Sequence, residues 1–156
     1  MVIGFHKPEE PNGYLSNWYP SKFEVDGITF TSMEQYMMYK KAIYFKDEEI
    51  AQKMLATNSP EEIKALGRLV KNFDGRLWKG ICQMVVYEGL KQKFLQNEDL
   101  MVELLATKDA ILAECARTDD IWGIGLGMDD PRRLDIKEWN GQNLLGFALM
   151  MVRDNL

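Results

Sequence analysis

The pattern of apolar and polar residues divides the chain into a short strand-rich start and a longer helical part. Residues 23–30 alternate around Asp26-Gly27, a dipeptide that favours the tight turn of a β-hairpin. From Met33 onward, apolar residues recur every three or four positions, which is the period of a helix with one buried face. We therefore expect strand and loop over the first thirty residues, and mainly helix after them.

Capping residues and apolar periodicity predict where the helices lie. A Ser, Asp or Asn directly before an acidic, Pro-containing or apolar first turn is typical of a helix start. By these signals the predicted helices cover residues 33–44, 48–56, 60–71 and 76–96, a short segment ending at 104, and 144–153. The apolar run 110–116 fits a buried strand or a helix, and we favour the strand. Residues 119–133 are expected to be loop.

Length and composition limit the classes of protein that the chain can belong to. Its 156 residues suggest one domain that buries roughly 70% of the surface exposed by the unfolded chain. With 19 Lys and Arg against 24 Asp and Glu, the net charge of −5 argues against binding along a nucleic-acid backbone or an anionic membrane. A local basic pocket remains compatible with this charge.

Cysteine usage and the N-terminus bear on metals and location. Cys82 and Cys115 show no C-x-x-C spacing and His6 is the one histidine, so we predict reduced core thiols and no metal site. No apolar run approaches the ~20 residues of a membrane-spanning helix, and residues 1–11 lack the apolar core of a signal peptide. We expect a cytoplasmic protein with no membrane contact.

Glu34 lies where helix capping and catalysis compete. In Thr31-Ser32-Met33-Glu34, the threonine would cap the helix while Glu34 reaches back to the Thr31 amide. The alternative is a catalytic carboxylate, with Lys41 two turns further along the same helix. The local pattern alone favours the cap.

Three cations mark the predicted helix that begins at Pro60. Lys64, Arg68 and Lys71 fall at i, i+4 and i+7, so they would share one face that could hold a phosphate. Most such charge runs are simply solvent-exposed faces. Gly67, which costs about 1 kcal/mol relative to Ala inside a helix, indicates that another element packs closely beside Arg68.

Three further segments combine polar and aromatic side chains, and each allows two interpretations. Trp122, in the Asp- and Gly-rich residues 118–127, could stack on a flat heterocycle or fill the core. Ser16 and Asn17 could orient a sugar or base, or make turns. Asn143 fits a helix cap better than a ligand contact. The glycines of residues 118–127 do not have the spacing of a dinucleotide-binding loop.

The order of short motifs along the chain is more specific than any motif alone. The motifs are Ser16-Asn17, Asp26-Gly27, Ser32-Met33-Glu34-Gln35-Tyr36, Lys41-Ala42, Lys64-Ala65-Leu66-Gly67-Arg68, Phe73-Asp74 with Trp78, Lys93-Phe94, Asp120-Ile121-Trp122-Gly123-Ile124-Gly125, and Trp139-Asn140-Gly141-Gln142-Asn143-Leu144-Leu145-Gly146 with Arg153. In this order they resemble the NADAR family, the YbiA-like N-glycosidases, from about residue 5 to 156. The resemblance implies an α+β, predominantly α-helical single domain over residues 1–156, with an N-terminal β-hairpin and a few short strands.

The resemblance also implies an activity, hydrolysis of the N-glycosidic bond between a ribose phosphate and a heterocycle. Nothing in the sequence requires a metal or an organic cofactor, and we expect none. For the YbiA-like branch, the implied substrates are phosphoribosylamino-pyrimidines: 5-amino-6-(5-phosphoribosylamino)uracil and its diaminopyrimidine precursor in riboflavin biosynthesis. Two alternatives stay open. One is a hydrolase that removes ADP-ribose from guanine bases of nucleotides or nucleic acid. The other is a non-catalytic module that binds ADP-ribose or a similar nucleotide.

Residue roles follow from the charge that develops as the bond breaks. Glu34 is expected to stabilise the cationic ribose or activate water, and Asp119 to assist it. Lys64 and Arg68 would hold the phosphate, Arg68 through two parallel hydrogen bonds. The other expected substrate contacts are Ser16, Asn17, Lys41, Trp78, Trp122 and Asn143.

Lysine offers a different chemical route. Ribosylamines open to imines, so a desolvated Lys41 or Lys64 could trap the sugar as a Schiff base. The chain also departs from the family pattern, because Gln83 stands where a basic residue is expected after Trp78. Residues 128–137 are assigned no role.

Overall fold

Six helices and four short strands confirm the α+β, predominantly helical fold. The structure, a computed structural model, describes residues 1–156. The strands are β1 (Val2–Phe5), β2 (Phe23–Val25), β3 (Ile28–Phe30) and β4 (Ile111–Glu114). The helices are α1 (Met33–Tyr44), α2 (Glu48–Leu55), α3 (Pro60–Gly67), α4 (Gly75–Leu95), α5 (Glu98–Ala106) and α6 (Leu144–Asp154), and 3-10 helices cover Gly13–Leu15, Pro131–Leu134 and Ile136–Glu138. None of the helices combines the length and apolarity needed to cross a bilayer.

The four strands form two separate pairs. β2 and β3 are antiparallel, as predicted, and Asp26 (φ 52°) and Gly27 (φ 79°) both take the left-handed conformation that tight hairpin turns require. β4 confirms the strand favoured for the apolar run. It pairs in parallel with β1, in a register that places Val2 opposite Ile111 and Phe5 opposite Glu114.

The predicted helix starts are confirmed more often than the predicted ends. Asp47 accepts a hydrogen bond from the Ile50 amide at the start of α2, and Ser59 caps α3. The prediction that α3 continues to about residue 71 is wrong, because it ends at Gly67. Beyond it, the amide of Lys71 donates to Asp47 Oδ2 over 2.9 Å, which holds the chain on the start of α2 instead of in a helix.

The chain forms two compact units, one of which comprises Met1–Tyr19 and Glu98–Leu156. In this unit β4 pairs with β1 and packs against α6. Its apolar centre contains Ala113, Cys115, Ile124 and Leu126, so the residues that follow β4 belong to the core even where they form loops.

The other unit, Pro20–Asn97, is built around α1. This helix packs against α2, α3, α4 and β3, and all of residues 33–39 are buried. The rings of Phe23, Phe30 and Tyr36 lie 5.1–5.8 Å from one another and close the hairpin side. This packing places two polar residues at the start of α1, Glu34 and Gln35, in the interior. That residues 1–156 act as a single domain stays a prediction.

Candidate active site

The helix cap at the start of α1 lies one residue later than predicted. Ser32, rather than Thr31, is the N-cap, and its hydroxyl accepts a hydrogen bond from the Gln35 amide over 3.1 Å. Gln35 Oε1 accepts from the Thr31 amide over 2.8 Å, and so takes the role expected for Glu34. The capping interpretation of Glu34 is therefore wrong.

An amide side chain is the chemical reason for this shift. Gln35 Nε2 donates to the carbonyls of Met54 and Thr57, both over 3.0 Å, while Oε1 faces the start of α1. A carboxylate can only accept hydrogen bonds, so a glutamate could not join these two groups. Gln35 thus ties α1 to the end of α2.

Glu34 is buried, with 6% of its surface exposed, although capping does not require it there. It interacts electrostatically with Lys41, which lies two turns later on α1. Burial lowers the pKa of Lys41, and the charge of Glu34 acts in the opposite direction. Lys41 Nζ donates to the carbonyl of Gly67 over 2.9 Å and lies 4.5 Å from the centre of the Phe73 ring.

The predicted close contact beside Arg68 is present. A Cβ on Gly67 would lie 2.3 Å from Met38 Sδ, so only glycine allows α1 and α3 to approach this closely. The prediction that the three cations share one helix face is wrong, however. Lys64 lies in the last turn of α3, Arg68 is its C-cap and Lys71 lies beyond it. Lys64 and Arg68 are exposed at the C-terminal end of α3, where the helix dipole favours cations. The free amides of α3 lie at its opposite end, so they do not add to the anion-binding groups of these two cations.

Trp78 lies at the start of α4, where its amide donates to the Asp74 carbonyl over 3.0 Å. Its side chain is half-buried. Glu34, Lys41, Lys64, Arg68 and Trp78 thus all belong to the unit Pro20–Asn97.

In the other unit, the Gly-rich loop serves as the cap of α6. The carbonyls of Ile121, Trp122 and Gly123 accept hydrogen bonds from the amides of Leu144, Leu145 and Asn143, respectively, over 3.0–3.2 Å. These amides are therefore not available to bind an anion. The loop is a fixed structural element that holds Trp122 half-buried.

Asp119 fixes the same loop from its other end. Its Oδ1 accepts hydrogen bonds from the amides of Ile121 and Trp122, over 3.0 and 2.9 Å. A Cβ on Gly123 would lie 2.9 Å from the carbonyl oxygens of both Asp119 and Glu114, which explains the glycine at this position. Asp119 therefore positions the indole through the backbone.

Asn143 is fully buried and does not cap α6 with its side chain. Its Oδ1 accepts from the Glu114 amide over 3.0 Å, and its Nδ2 donates to the Leu112 carbonyl over 2.9 Å. Since both polar groups are used on β4, the expected direct contact of this side chain with a substrate is not supported. The residue adopts a left-handed backbone (φ 54°), which asparagine tolerates better than most residues.

We expect Asn143→Ala to lower the free energy of unfolding by about 2–4 kcal/mol. It leaves the buried Glu114 amide and Leu112 carbonyl without partners, and alanine is strained in this backbone conformation. Urea unfolding measures the change. Asn12→Ala is the matched control, because Asn12 also has a left-handed backbone (φ 65°) but is exposed and makes one long side-chain hydrogen bond of 3.4 Å. Equal losses in both variants would contradict a special role for the β4 contacts.

Ser16 and Asn17 are both buried and differ in their contacts. Ser16 Oγ accepts from the Trp18 amide over 3.1 Å, which agrees with the turn interpretation. Asn17 Oδ1 is buried and has no hydrogen-bond partner in the structure. A buried acceptor without a donor is costly, so this oxygen is suited to a donor from outside the protein.

Sequence reasoning missed the pairing of His6 with Glu114. His6 Nδ1 lies 3.1 Å from Glu114 Oε1 at the adjacent ends of β1 and β4, and the parallel pairing that joins them has no local signal. No three His, Cys, Asp or Glu side chains converge to hold a metal ion. A surface cavity of about 430 Å³ lies between Arg117, Gly127, Asp129 and Arg132, in part of the segment left without a role.

Comparison with known proteins places the chain among named relatives. Protein irg-1 of Caenorhabditis elegans is 38% identical, over 91% of this chain and 74% of the relative. N-glycosidase R617 of Acanthamoeba polyphaga mimivirus is 37% identical, over 97% of this chain and 92% of the relative. Riboflavin biosynthesis protein VVA0006 of Vibrio vulnificus is 33% identical, over 99% of this chain but 38% of the relative.

The fold comparison and the family profile agree with these sequence matches. The NMR structure of the E. coli protein YbiA superimposes with a TM-score of 0.81 at 28% identity, covering 99% of this chain and 84% of that one. The NADAR domain profile matches residues 4–156. The chain belongs to the NADAR family.

Proposed function

We propose that the chain is an N-glycosidase that hydrolyses the bond between ribose 5-phosphate and the amino-pyrimidine of early riboflavin intermediates. The reaction class, hydrolysis of an N-glycosyl bond, rests on family membership and on relatives named N-glycosidase. The name of the Vibrio relative supports the substrate class. The observation that carries the catalytic assignment is Glu34, a carboxylate that is buried although the helix start is capped by its neighbours.

Breaking the C1′–N bond requires a fixed negative charge. The ribose becomes cationic as the nitrogen departs, and a carboxylate held away from bulk water stabilises that charge more strongly than an exposed one. Glu34 would provide this charge and accept a proton from the attacking water. Its burial and its position on the most enclosed helix of its unit keep it in one orientation.

The phosphate would bind to the cations at the end of α3. Lys64 and Arg68 are exposed there and one turn apart, and an arginine can bind a phosphate through two parallel hydrogen bonds. Lys41 is held against the Gly67 carbonyl of the same helix end. Burial lowers its pKa, which favours the neutral amine needed for the alternative Schiff-base route. Borohydride treatment of an active reaction that yields no protein–sugar adduct would exclude that route.

Two groups of the unit Met1–Tyr19 and Glu98–Leu156, considered by itself, have properties that suit a flat heterocycle. Trp122, fixed by Asp119 and by α6, offers a flat indole for stacking. Asn17 Oδ1 is a buried acceptor that an amino group of the pyrimidine could satisfy, and Ser16 fixes the adjacent turn.

Incubation with 5-amino-6-(5-phosphoribosylamino)uracil tests this proposal directly. We expect the enzyme to release ribose 5-phosphate at a rate that is proportional to enzyme concentration. Mass spectrometry detects the released sugar phosphate. A parallel reaction with ADP-ribosyl-guanosine separates the alternatives. Release of guanosine alone would indicate the ADP-ribosyl hydrolase, and binding of either compound without turnover would indicate the non-catalytic module.

A further inference from the structure

Gly80 is a glycine that no contact within the chain explains. It lies in the interior of α4, where glycine destabilises a helix relative to alanine. Gly67 and Gly89 are explained by close packing, since a Cβ at these positions would collide with Met38 and Tyr36, respectively. A Cβ on Gly80 would meet no atom within 4 Å, and its backbone is helical. The bare backbone at this point is therefore accessible to a partner outside the chain.

Gly80 belongs to a row of exposed residues on the outer face of α4. This row, which we call the α4 row, consists of Arg76, Gly80, Met84 and Glu88. Its members recur at every fourth residue, so they form one of the ridges by which helices pack against each other. All four are exposed, Met84 by 71%, and the neighbouring Leu77 is 51% exposed. Two large apolar side chains thus lie in water on the same face of the helix.

The α4 row is complementary to itself when it is reversed. A twofold axis between Gly80 and Met84 places each of these residues opposite the other in a second copy. The Met84 side chain of one copy then fills the space above the Gly80 backbone of the other. The same axis places Arg76 opposite Glu88, so opposite charges meet at both ends of the row. Reversal therefore matches a large apolar side chain with a hole, and a cation with an anion.

The charged ends of the α4 row are available for contacts between copies. The ion pairs within the chain involve other residues. Arg76 and Glu88 lie about 18 Å apart along the helix axis, so they cannot pair within one copy. Ridges of this type interlock when two helices cross at about −50°, the commonest arrangement in globular proteins. A glycine at the crossing point lets the two backbones approach closely.

We propose that a second copy of this chain docks on the α4 row, with the two α4 helices antiparallel and crossed at Gly80 and Met84. A different partner would need the same order of anion, large apolar side chain, small residue and cation, and this chain already has that order. Contact through one helix buries less surface than a standard interface, so we expect a Kd of roughly 10–100 μM.

This inference goes beyond the proposed function and does not depend on it. Trp78, the substrate contact predicted on α4, lies about 140° around the helix from the middle of the α4 row. Association through the row therefore leaves the face that carries Trp78 accessible.

Exchanging the two charges is the most specific test. Glu88→Arg places arginine opposite arginine at both ends of the row, and Arg76→Glu places glutamate opposite glutamate. We expect each single variant to raise the Kd by about tenfold or more, since like charges in an interface oppose association. The double variant restores opposite charges and should return the Kd to within about threefold of the wild-type value. Sedimentation equilibrium of the full chain measures the Kd.

Gly80→Ala separates association from folding. Alanine stabilises a helix interior, so the variant should unfold at a higher urea concentration than the wild type when both are dilute and monomeric. The added Cβ occupies the space that receives the Met84 side chain, so the Kd should rise by about tenfold or more. A folding defect cannot produce a variant that is more stable and associates less. An unchanged Kd would contradict the close approach of the two helices and overturn the proposal.

Met84→Lys tests the apolar contact, and Met151→Lys is its matched control. Met151 is 56% exposed on α6, so it resembles Met84 in exposure without belonging to the α4 row. We expect Met84→Lys to remain monomeric at every concentration and Met151→Lys to keep the wild-type Kd. The proposal is overturned by a wild type that is monomeric up to about 1 mM, by a dimer that Met84→Lys does not weaken, or by a double charge exchange that does not restore association.

Discussion

Replacing Glu34 by glutamine is expected to reduce turnover of the phosphoribosylamino-pyrimidine by about 10²–10⁴-fold while substrate binding is retained. Glutamine has nearly the same shape and removes the negative charge that is proposed to stabilise the cationic ribose. The phosphate contacts proposed for Lys64 and Arg68 would be unaffected. Steady-state kinetics give kcat, and calorimetry with the unreactive variant gives substrate affinity.

The buried position of Glu34 makes stability an informative companion measurement. Glutamine keeps the size and shape of the side chain, so Glu34→Gln should fold normally, and urea unfolding measures how much stability the carboxylate contributes. A variant that is inactive and at least as stable would show that the carboxylate is kept for chemistry.

A matched control for this variant is Glu49→Gln. Glu49 occupies the second position of α2, as Glu34 does in α1, but its side chain is 73% exposed and pairs only with Lys53. Because exposed ion pairs contribute little, this variant should keep full turnover. Full turnover of Glu34→Gln, or weakened binding with an unchanged kcat, would contradict the catalytic role.

The start of α1 shows how far local sequence rules reach. Thr31…Glu34 and Ser32…Gln35 both fit the capping pattern, and nothing within these residues selects one of them. The selection comes from the carbonyls of Met54 and Thr57, which require a donor that only Gln35 can supply. Capping could be predicted from the sequence, but the residue that performs it depends on another helix.

The end of α3 was mispredicted for a similar reason. The spacing of the cations predicted a helix that continues to residue 71. In the structure the Asp47 side chain instead accepts a hydrogen bond from the backbone amide of Lys71 and holds it at the start of α2. The interpretation of Gly67 as a close-contact position was confirmed, because a missing side chain is itself a local signal. Helix starts carry such signals in their caps; ends decided by tertiary hydrogen bonds do not.

The candidate site also has a part that could be predicted from the sequence and a part that depends on tertiary structure. The order of motifs was sufficient for the family, and through that resemblance Glu34, Lys64 and Trp122 were predicted as site residues. The use of Asn143 on β4 and the pairing of His6 with Glu114 depend on the parallel strands β1 and β4. Strand pairs separated by a hundred residues leave no periodic trace in one sequence. The site residues themselves remain predictions that the variants above test.

Lys93→Met is expected to abolish a pH dependence of stability that the wild type shows between pH 7 and 9. Lys93 is fully buried in α4, next to the Phe94 ring, and burial lowers its pKa from 10.5 to about 7. Between these values the unfolded chain binds the proton and the folded chain does not, so wild-type stability rises with pH. The penalty is fully present below about pH 7 and amounts to roughly 5 kcal/mol.

The difference between the two proteins isolates this lysine. From pH 7 to 9, the free energy of unfolding of the wild type should increase by roughly 2–3 kcal/mol relative to Lys93→Met, as measured by urea unfolding at each pH. Cys82 and Cys115, whose pKa values burial raises, titrate in the unfolded state of both proteins and cancel. Methionine keeps the length and helix preference of the side chain. Parallel stability curves would show that Lys93 retains its proton in the folded state, whereas converging curves would show a neutral amine in the core of the unit that carries Glu34.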